Sequence, residues 1–143
     1  MDKVYVVYWS QTGNTQAMAD AIGKGVTDAG KEAEVVYVGN ADIEALKAAK
    51  GFALGCPAMG AEVLEETEME PFVEEVEAFA AGKTIALFGS YGWGDGQWMR
   101  DWEERMISAG ATVVNGEGLI CQEAPDGDVI SECESLGKQL AGM

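Results

Sequence analysis

Val4-Tyr5-Val6-Val7-Tyr8-Trp9-Ser10-Gln11-Thr12-Gly13-Asn14-Thr15 begins with six apolar or aromatic residues and turns at once to hydroxyls, amides and a glycine. The apolar run is continuous rather than alternating, the pattern of a strand covered on both faces. After it, Met18, Ala21, Ile22, Gly25, Val26 and Ala29 share one face of a 3.6-residue period, so residues 10–15 join a strand to an amphipathic helix. Such a turn presents the unpaired N–H groups and the positive dipole end of the helix, with the Ser10, Thr12 and Thr15 hydroxyls as further donors. That is a cradle for a phosphate. An ordinary N-capped turn is the alternative reading of these residues by themselves. The segment lacks both the Gly-Lys-Ser/Thr ending that reaches outer phosphates and the GxGxxG spacing of dinucleotide folds, so it suits a monophosphate. It also lacks Lys and Arg, so a bound dianion keeps its charge inside the protein.

Outward from this unit, apolar runs recur at residues 35–38, 52–56 and 85–88, then at Val113-Val114 and residues 119–121. Helical patterns fill the gaps. Met69, Phe72, Val73, Val76 and Ala80 share a face, as do Trp98, Trp102, Met106 and Ala109, and Val129, Cys133, Leu136 and Leu140. The connection around residues 42–50 is short and weakly periodic, and Gly30, Gly82 and Gly110 fall where helices should end. This alternation predicts an α/β fold: a doubly wound, five-stranded parallel sheet with helices on both faces, one domain over residues 1–143. In such sheets ligands lie outside the carboxyl ends of the strands, where the strand order reverses. The loops after strands one, three and four are residues 10–15, 57–62 and 89–97.

Composition sets further bounds. With 48% hydrophobic and 24% charged residues the chain is ordinary globular material. It has no 18-residue apolar run, and Met1-Asp2-Lys3-Val4 enters a strand at once, leaving no room for a signal peptide; a cytoplasmic protein is expected. Three cysteines without a CxxC pair (Cys56, Cys121, Cys133) support neither a disulfide framework nor a metal site, and read as buried small hydrophobes. The absence of histidine removes Ser-His-Asp, Cys-His and His-metal chemistry. Nine basic against 25 acidic residues give a net charge of −16, which repels nucleic acid and anionic membranes. Partners with basic surfaces are favoured, at rates that fall with salt, with plain solubility as the bland alternative. No coiled-coil pattern or large apolar patch is evident, so a monomer is expected.

The other two loops carry flat-ring chemistry. In Gly89-Ser90-Tyr91-Gly92-Trp93-Gly94-Asp95-Gly96-Gln97, two aromatics sit among glycines that admit close approach of backbone to a ligand. A heteroaromatic ring stacked on Trp93 or Tyr91 would account for them, the alternative being a Trp93 that caps the sheet edge. Trp98 and Trp102, four apart, read as core. In Pro57-Ala58-Met59-Gly60-Ala61-Glu62, the Met59 thioether can cover the opposite ring face. Gly60 supplies a peptide free to rotate at the ring edge. Phosphate cradle, stacking lid and mobile peptide together describe a site for flavin mononucleotide (FMN).

The segments Thr12-Gly13-Asn14-Thr15, Gly55-Cys56-Pro57-Ala58-Met59-Gly60, Glu70-Pro71-Phe72 and Phe88-Gly89-Ser90-Tyr91-Gly92-Trp93-Gly94 resemble, essentially end to end, those of the short-chain flavodoxins, low-potential electron carriers of anaerobic bacteria. The resemblance implies strand order 2-1-3-4-5, with FMN beside strands one and three as in that family. It implies a one-electron carrier with non-covalent FMN, shuttling between semiquinone and hydroquinone among redox partner proteins, with no substrate turnover of its own. Residue by residue it places the phosphate on Ser10, Gln11, Thr12, Gly13, Asn14 and Thr15, the ring between Met59 and Trp93, and the rotating peptide at Gly60-Ala61. Pro57 and Ala58 precede that peptide, Glu62 and the Ser90, Tyr91 and Gly92 backbone face the ring edge beside Gly94, and Gln122 and Glu123 reach the ribityl chain. Gln11 stands where relatives often carry Gly, and Ala61 where they often carry Asp, Asn or Gly; a type II turn across Met59 to Glu62 would require positive φ at Ala61. Carboxylates near the ring, with Glu62, Glu65, Glu66, Glu68, Glu70 and Asp95 as candidates, would lower the potential. An FMN-dependent quinone or nitro reductase is the enzymatic alternative, for which 143 residues leave little chain to build a second binding place. A phosphoacceptor receiver is set aside because Ser10, Cys56 and Gln122 stand near the positions where it needs acids and a lysine.

Overall fold

The structure, a computed structural model, describes residues 3–143. The expectation about Met1 and Asp2 lies outside them. Along the chain run β1 (Lys3–Tyr8), α1 (Asn14–Asp28), β2 (Glu32–Tyr37), α2 (Ile43–Ala48), β3 (Gly51–Gly55), α3 (Met69–Glu77), β4 (Thr84–Tyr91), α4 (Gln97–Ser108), β5 (Thr112–Val113), β6 (Leu119–Gln122) and α5 (Gly127–Ala141). The sheet is parallel throughout, in the order β2-β1-β3-β4-β5, with β6 also on β4.

The fifth position is thus one strand in two pieces. Thr84 and Ile85 register with Thr112 and Val113, and residues 88–91 register with 119–122. Between the pieces Asn115 (φ 63°) and Gly116 (φ 77°) take left-handed backbone, which a strand cannot hold. The pairing with β6 also carries β4 beyond the apolar run at residues 85–88, through Gly89, Ser90 and Tyr91. Those three residues are strand rather than loop, a correction to the sequence reading. Gly30 and Gly110 follow helix ends with positive φ, whereas α3 stops at Glu77 and Gly82 belongs to the turn into β4. The weakly periodic second connection does contain a helix, the six-residue α2, whose first turn is fixed by Asp42 accepting from the amides of Glu44 (3.0 Å) and Ala45 (3.2 Å).

Strand alternation divides the interior into two cores. Val7, Phe52, Leu54, Ile85 and Leu87 face α2, α3 and α4, whose Leu46, Phe72, Val76, Trp98, Trp102 and Met106 complete one core. Val6, Ala53, Ala86 and Phe88 face α1 and α5, with Met18, Ile22, Val26, Cys133, Leu136 and Leu140. Trp98 and Trp102 are buried as expected, and so are all three cysteines. The strand order reverses between β1 and β3, so the loops leaving their carboxyl ends, and that of β4, converge at one end of the sheet.

Candidate functional site

The first loop is built from the start of α1. Gly13, at φ 94°, is the N-cap and contributes no side chain, so the capping falls to Ser10, whose Oγ accepts from the amides of Gly13 (3.2 Å) and Gln16 (3.3 Å). The Asn14 amide lies 3.5 Å from Thr12 Oγ1. Among the described residues, the backbone N–H groups of Gln11, Thr12 and Thr15 donate to no protein acceptor. Three neighbouring unsatisfied donors at a helix N-terminus fit a phosphate. Thr15 departs from the expected picture in one respect. Its side chain is 1% exposed and its hydroxyl shares a 3.2 Å hydrogen bond with Ser90 Oγ, so it joins the cradle to β4.

The second loop closes as a hairpin between Met59 and Val63, which exchange amide-to-carbonyl bonds of 2.9 and 3.0 Å. Positive φ falls on Gly60 (45°) and Glu62 (58°) and not on Ala61, so the turn is not type II in this structure. Pro57, Ala58 and Met59 are half-buried while Gly60 and Ala61 are exposed. The Glu62 carboxylate accepts from the Gln97 amide at 3.0 Å and so caps α4.

In the third loop Trp93 is 62% exposed, flanked by exposed Gly92 and Gly94. Tyr91, expected to be exposed beside it, is half-buried at the end of β4 with its ring 5.6 Å from that of Trp98. The Ser90 amide and carbonyl are both engaged, with Thr15 Oγ1 (3.4 Å) and the Ala58 amide (3.1 Å). Beyond β6, Glu123 (φ 58°) donates its amide to the Tyr91 carbonyl at 2.7 Å, and Gln122 Nε2 reaches the Gly92 carbonyl at 3.4 Å. Together with Trp9 N–H to the Gly55 carbonyl (3.0 Å), these bonds bring residues 10–15, 57–62, 90–94 and 122–123 to one place.

Carboxylates proposed from sequence as ring neighbours separate into two groups. Glu65 is 6% exposed and accepts from the amides of Thr67, Glu68 and Met69. Burial pushes its carboxyl up, but the bonds from Thr67, Met69 and Glu68 outweigh burial and hold it below the ordinary value. Glu70 is paired to Arg105, which also binds Glu77; the Arg105 bond, against burial, holds Glu70 low. Glu68 accepts from the Tyr37 hydroxyl, a bond that, with burial, pushes Tyr37 up to about 12. Glu65, Glu68 and Glu70 thus serve the fold, leaving Glu62, Glu66 and Asp95 at the loops, with Asp95 bound to Arg100 at 3.1 Å; Glu123, expected at the ribityl chain, is a further carboxylate there. The sequence reading missed the capping role of Glu65; a Glu just before Thr67 and the apolar start of α3 is the signal that could have revealed it.

Fold and loops define an open parallel α/β protein with the N-terminus of α1 and its free backbone donors at the switch point and an exposed tryptophan on a neighbouring loop. Residues 6–136 match the protein-family profile for flavodoxin. The sequence is 49% identical to a flavodoxin of Clostridium beijerinckii over 138 residues, 96% of this chain and 99% of the relative. It is 43% identical to the flavodoxin of Megasphaera elsdenii over 138 residues, 96% and 98% of the two chains. The solution structure of the two-electron reduced M. elsdenii protein matches at a TM-score of 0.86 and 42% identity, over 98% of this chain and 99% of that one. The chain belongs to the flavodoxin family. It is an FMN-binding electron-transfer protein rather than an enzyme.

Proposed function

We propose that residues 1–143 form one FMN-binding domain that works as a low-potential, one-electron carrier between redox proteins. The observation that carries this reading is the trio of unsatisfied amides, Gln11, Thr12 and Thr15, at the start of α1. With Gly13 and Asn14 and the Ser10 and Thr12 hydroxyls they would hold the FMN phosphate, and the loop supplies no cation to neutralise it. Met59 and Trp93 would cover the two ring faces, with Pro57, Ala58, Gly60, Ala61, Glu62 and the backbone of residues 90–94 at the ring edge and Gln122 and Glu123 toward the ribityl chain. When bound, FMN supplies reversible one-electron chemistry; the chain supplies its surroundings. An uncompensated carboxylate about 10 Å from a charge gained on reduction costs about 1.7 kcal/mol at an effective dielectric near 20, or roughly 70 mV. Glu62, Glu66 and Glu123 and the phosphate would act in that sense.

The net charge of −16 favours partners with basic docking surfaces, and the protein acts in the cytoplasm as a monomer in this reading. Among the described residues no helix is long and apolar enough to cross a membrane. The phosphate assignment is tested by fluorescence-quenching titration of the cofactor-free protein: FMN is expected to bind far more tightly than riboflavin, and Thr12→Ala to release FMN more readily. Equal affinity for riboflavin and FMN would remove the phosphate from residues 10–15.

A further inference from the structure

Two buried side chains fasten the neck of the Met59–Val63 hairpin, and neither belongs to the phosphate cradle or to the ring faces. Cys56, directly after β3, is 0% exposed. Its Sγ accepts from the Glu65 amide at 3.4 Å and donates to the Pro57 carbonyl at 3.4 Å, while its own carbonyl accepts the Trp98 indole N–H at 3.1 Å. Both ends of the loop, residues 56 and 65, therefore meet across one sulfur.

The Glu65 carboxylate completes the fastening. Oε2 accepts from the Thr67 amide (2.8 Å) and hydroxyl, and Oε1 from the amides of Glu68 (2.7 Å) and Met69 (3.0 Å). Four donors fill its two oxygens, and the amide donors belong to the start of α3, where a helix leaves N–H groups without partners. The hairpin tip has no comparable anchor beyond the Glu62 cap on α4, for Gly60 and Ala61 are exposed.

We propose that Cys56 and Glu65 are positioning residues for the flavin-facing hairpin, the thiol closing its neck and the carboxylate tying its outgoing leg to α3, so that motion is confined to the Gly60-Ala61 tip. The proposal rests on the reading that this hairpin faces the ring. A thiol suits the place because it donates and accepts while tolerating complete burial as a small apolar group. Burial pushes Cys56 up to about 12, so the S–H needed for the Pro57 bond is retained. An alanine would pack there and leave the neck open.

Amide hydrogen exchange and FMN release, both measured on the full chain loaded with FMN, test this. Losing a buried bond of this kind predicts that Cys56→Ala speeds exchange at Val63 and Glu65 roughly tenfold and weakens FMN binding several-fold, with Leu54 in β3 unchanged. Cys56→Ser restores both, since a hydroxyl also donates and accepts. If Cys56 mattered only as packing, Ala would be tolerated better than Ser, and that order overturns the proposal. Glu65→Gln turns an NH2 toward N–H donors and should loosen Thr67, Glu68, Met69 and Val63 together. Unchanged exchange at Val63 and Glu65 in the Cys56→Ala and Glu65→Gln variants also overturns it. Faster exchange at the hairpin with FMN held as before overturns the placement of the hairpin against the ring, and the positioning role with it, while the phosphate cradle stands.

Discussion

Glu62, Asn115 and Glu123 are the non-glycine residues with positive φ among those described, and two of the three lie on the converging loops. A glutamate held in left-handed backbone costs on the order of 1 kcal/mol, and here a defined bond offsets it: Glu62 caps α4 and Glu123 bonds the Tyr91 carbonyl. Ala61 carries no such strain in this structure. Rotating the Gly60-Ala61 peptide changes ψ of Gly60 and φ of Ala61, so Gly60 keeps its positive φ and Ala61 would acquire one, where alanine is penalised by roughly 1 kcal/mol relative to glycine. Ala61→Gly is therefore expected to raise the first one-electron potential by roughly 40 mV, since 59 mV corresponds to about 1.4 kcal/mol for one electron. Spectroelectrochemical titration checks it, and an unchanged or lower potential contradicts a rotation of that kind. At Trp93, 62% exposed, removing the side chain deletes little of the core. Trp93→Ala should leave the urea midpoint nearly unchanged yet weaken FMN binding several-fold, separating a ring-stacking lid from a sheet-edge cap.

Among the elements, α1 and α5 are held closest. A Cβ built on Gly25 would lie 1.9 Å from the Glu134 carbonyl oxygen, and one on Gly137 would lie 2.0 Å from that of Ile22. Backbone meets backbone there, and no side-chain rotation can relieve the overlap. Gly137→Ala should cost about 1–3 kcal/mol or more in urea denaturation, the range for overpacking, and loosen the footing of α1 beneath residues 10–15. Across the sheet, Arg105 clasps α4 to α3 through Glu70 (2.6 and 2.9 Å) and Glu77 (3.0 and 3.2 Å). The three side chains are 26–33% exposed, so water moderates the interaction. Arg105→Ala is expected to destabilise by about 1–2 kcal/mol, partly because two carboxylates then face one another. A loss below about 0.5 kcal/mol would show the clasp to be fully screened, as exposed pairs are.

At the scale of the molecule, charge governs the response to pH and salt. Glu65 and Glu70 have carboxyls held below the ordinary 4.5, so the folded chain binds these protons less readily than the unfolded one. Their contribution is complete above pH 4.5 and disappears as pH falls through the folded values. Self-repulsion from the −16 charge eases over the same descent from neutrality. Thermal melts at fixed FMN concentration should show stability level or rising from pH 7 to about 5 and dropping below about 4.5, with a shallower drop in Glu70→Gln. Electron transfer to a basic partner should slow steeply as salt shortens the Debye length from about 10 Å at 0.1 M to about 3 Å at 1 M. Stopped-flow rates independent of ionic strength would argue against steering. Neutralising Glu62 and Glu66 together should raise the lower of the two potentials; Asp95, paired with Arg100, and Glu65, a buried cap whose loss would disturb α3, are left out of that experiment.

The sequence by itself determined the alternating layers, the helix faces and the polar turn at residues 10–15, because each is written in the spacing of neighbours within a few turns of one element. Family resemblance added the strand order. Tertiary structure alone decided what depends on distant partners. Pairing with β6 turned Gly89, Ser90 and Tyr91 into strand, and the left-handed Asn115 and Gly116 broke the fifth strand. Thr15 finds Ser90 across 75 residues, Glu62 finds Gln97 across 35, and Glu65 meets the Cys56 thiol only when the loop between them closes. Burial then converted Glu65 from an apparent surface charge into a cap, since a carboxylate out of water keeps its charge only where donors replace the water it gives up.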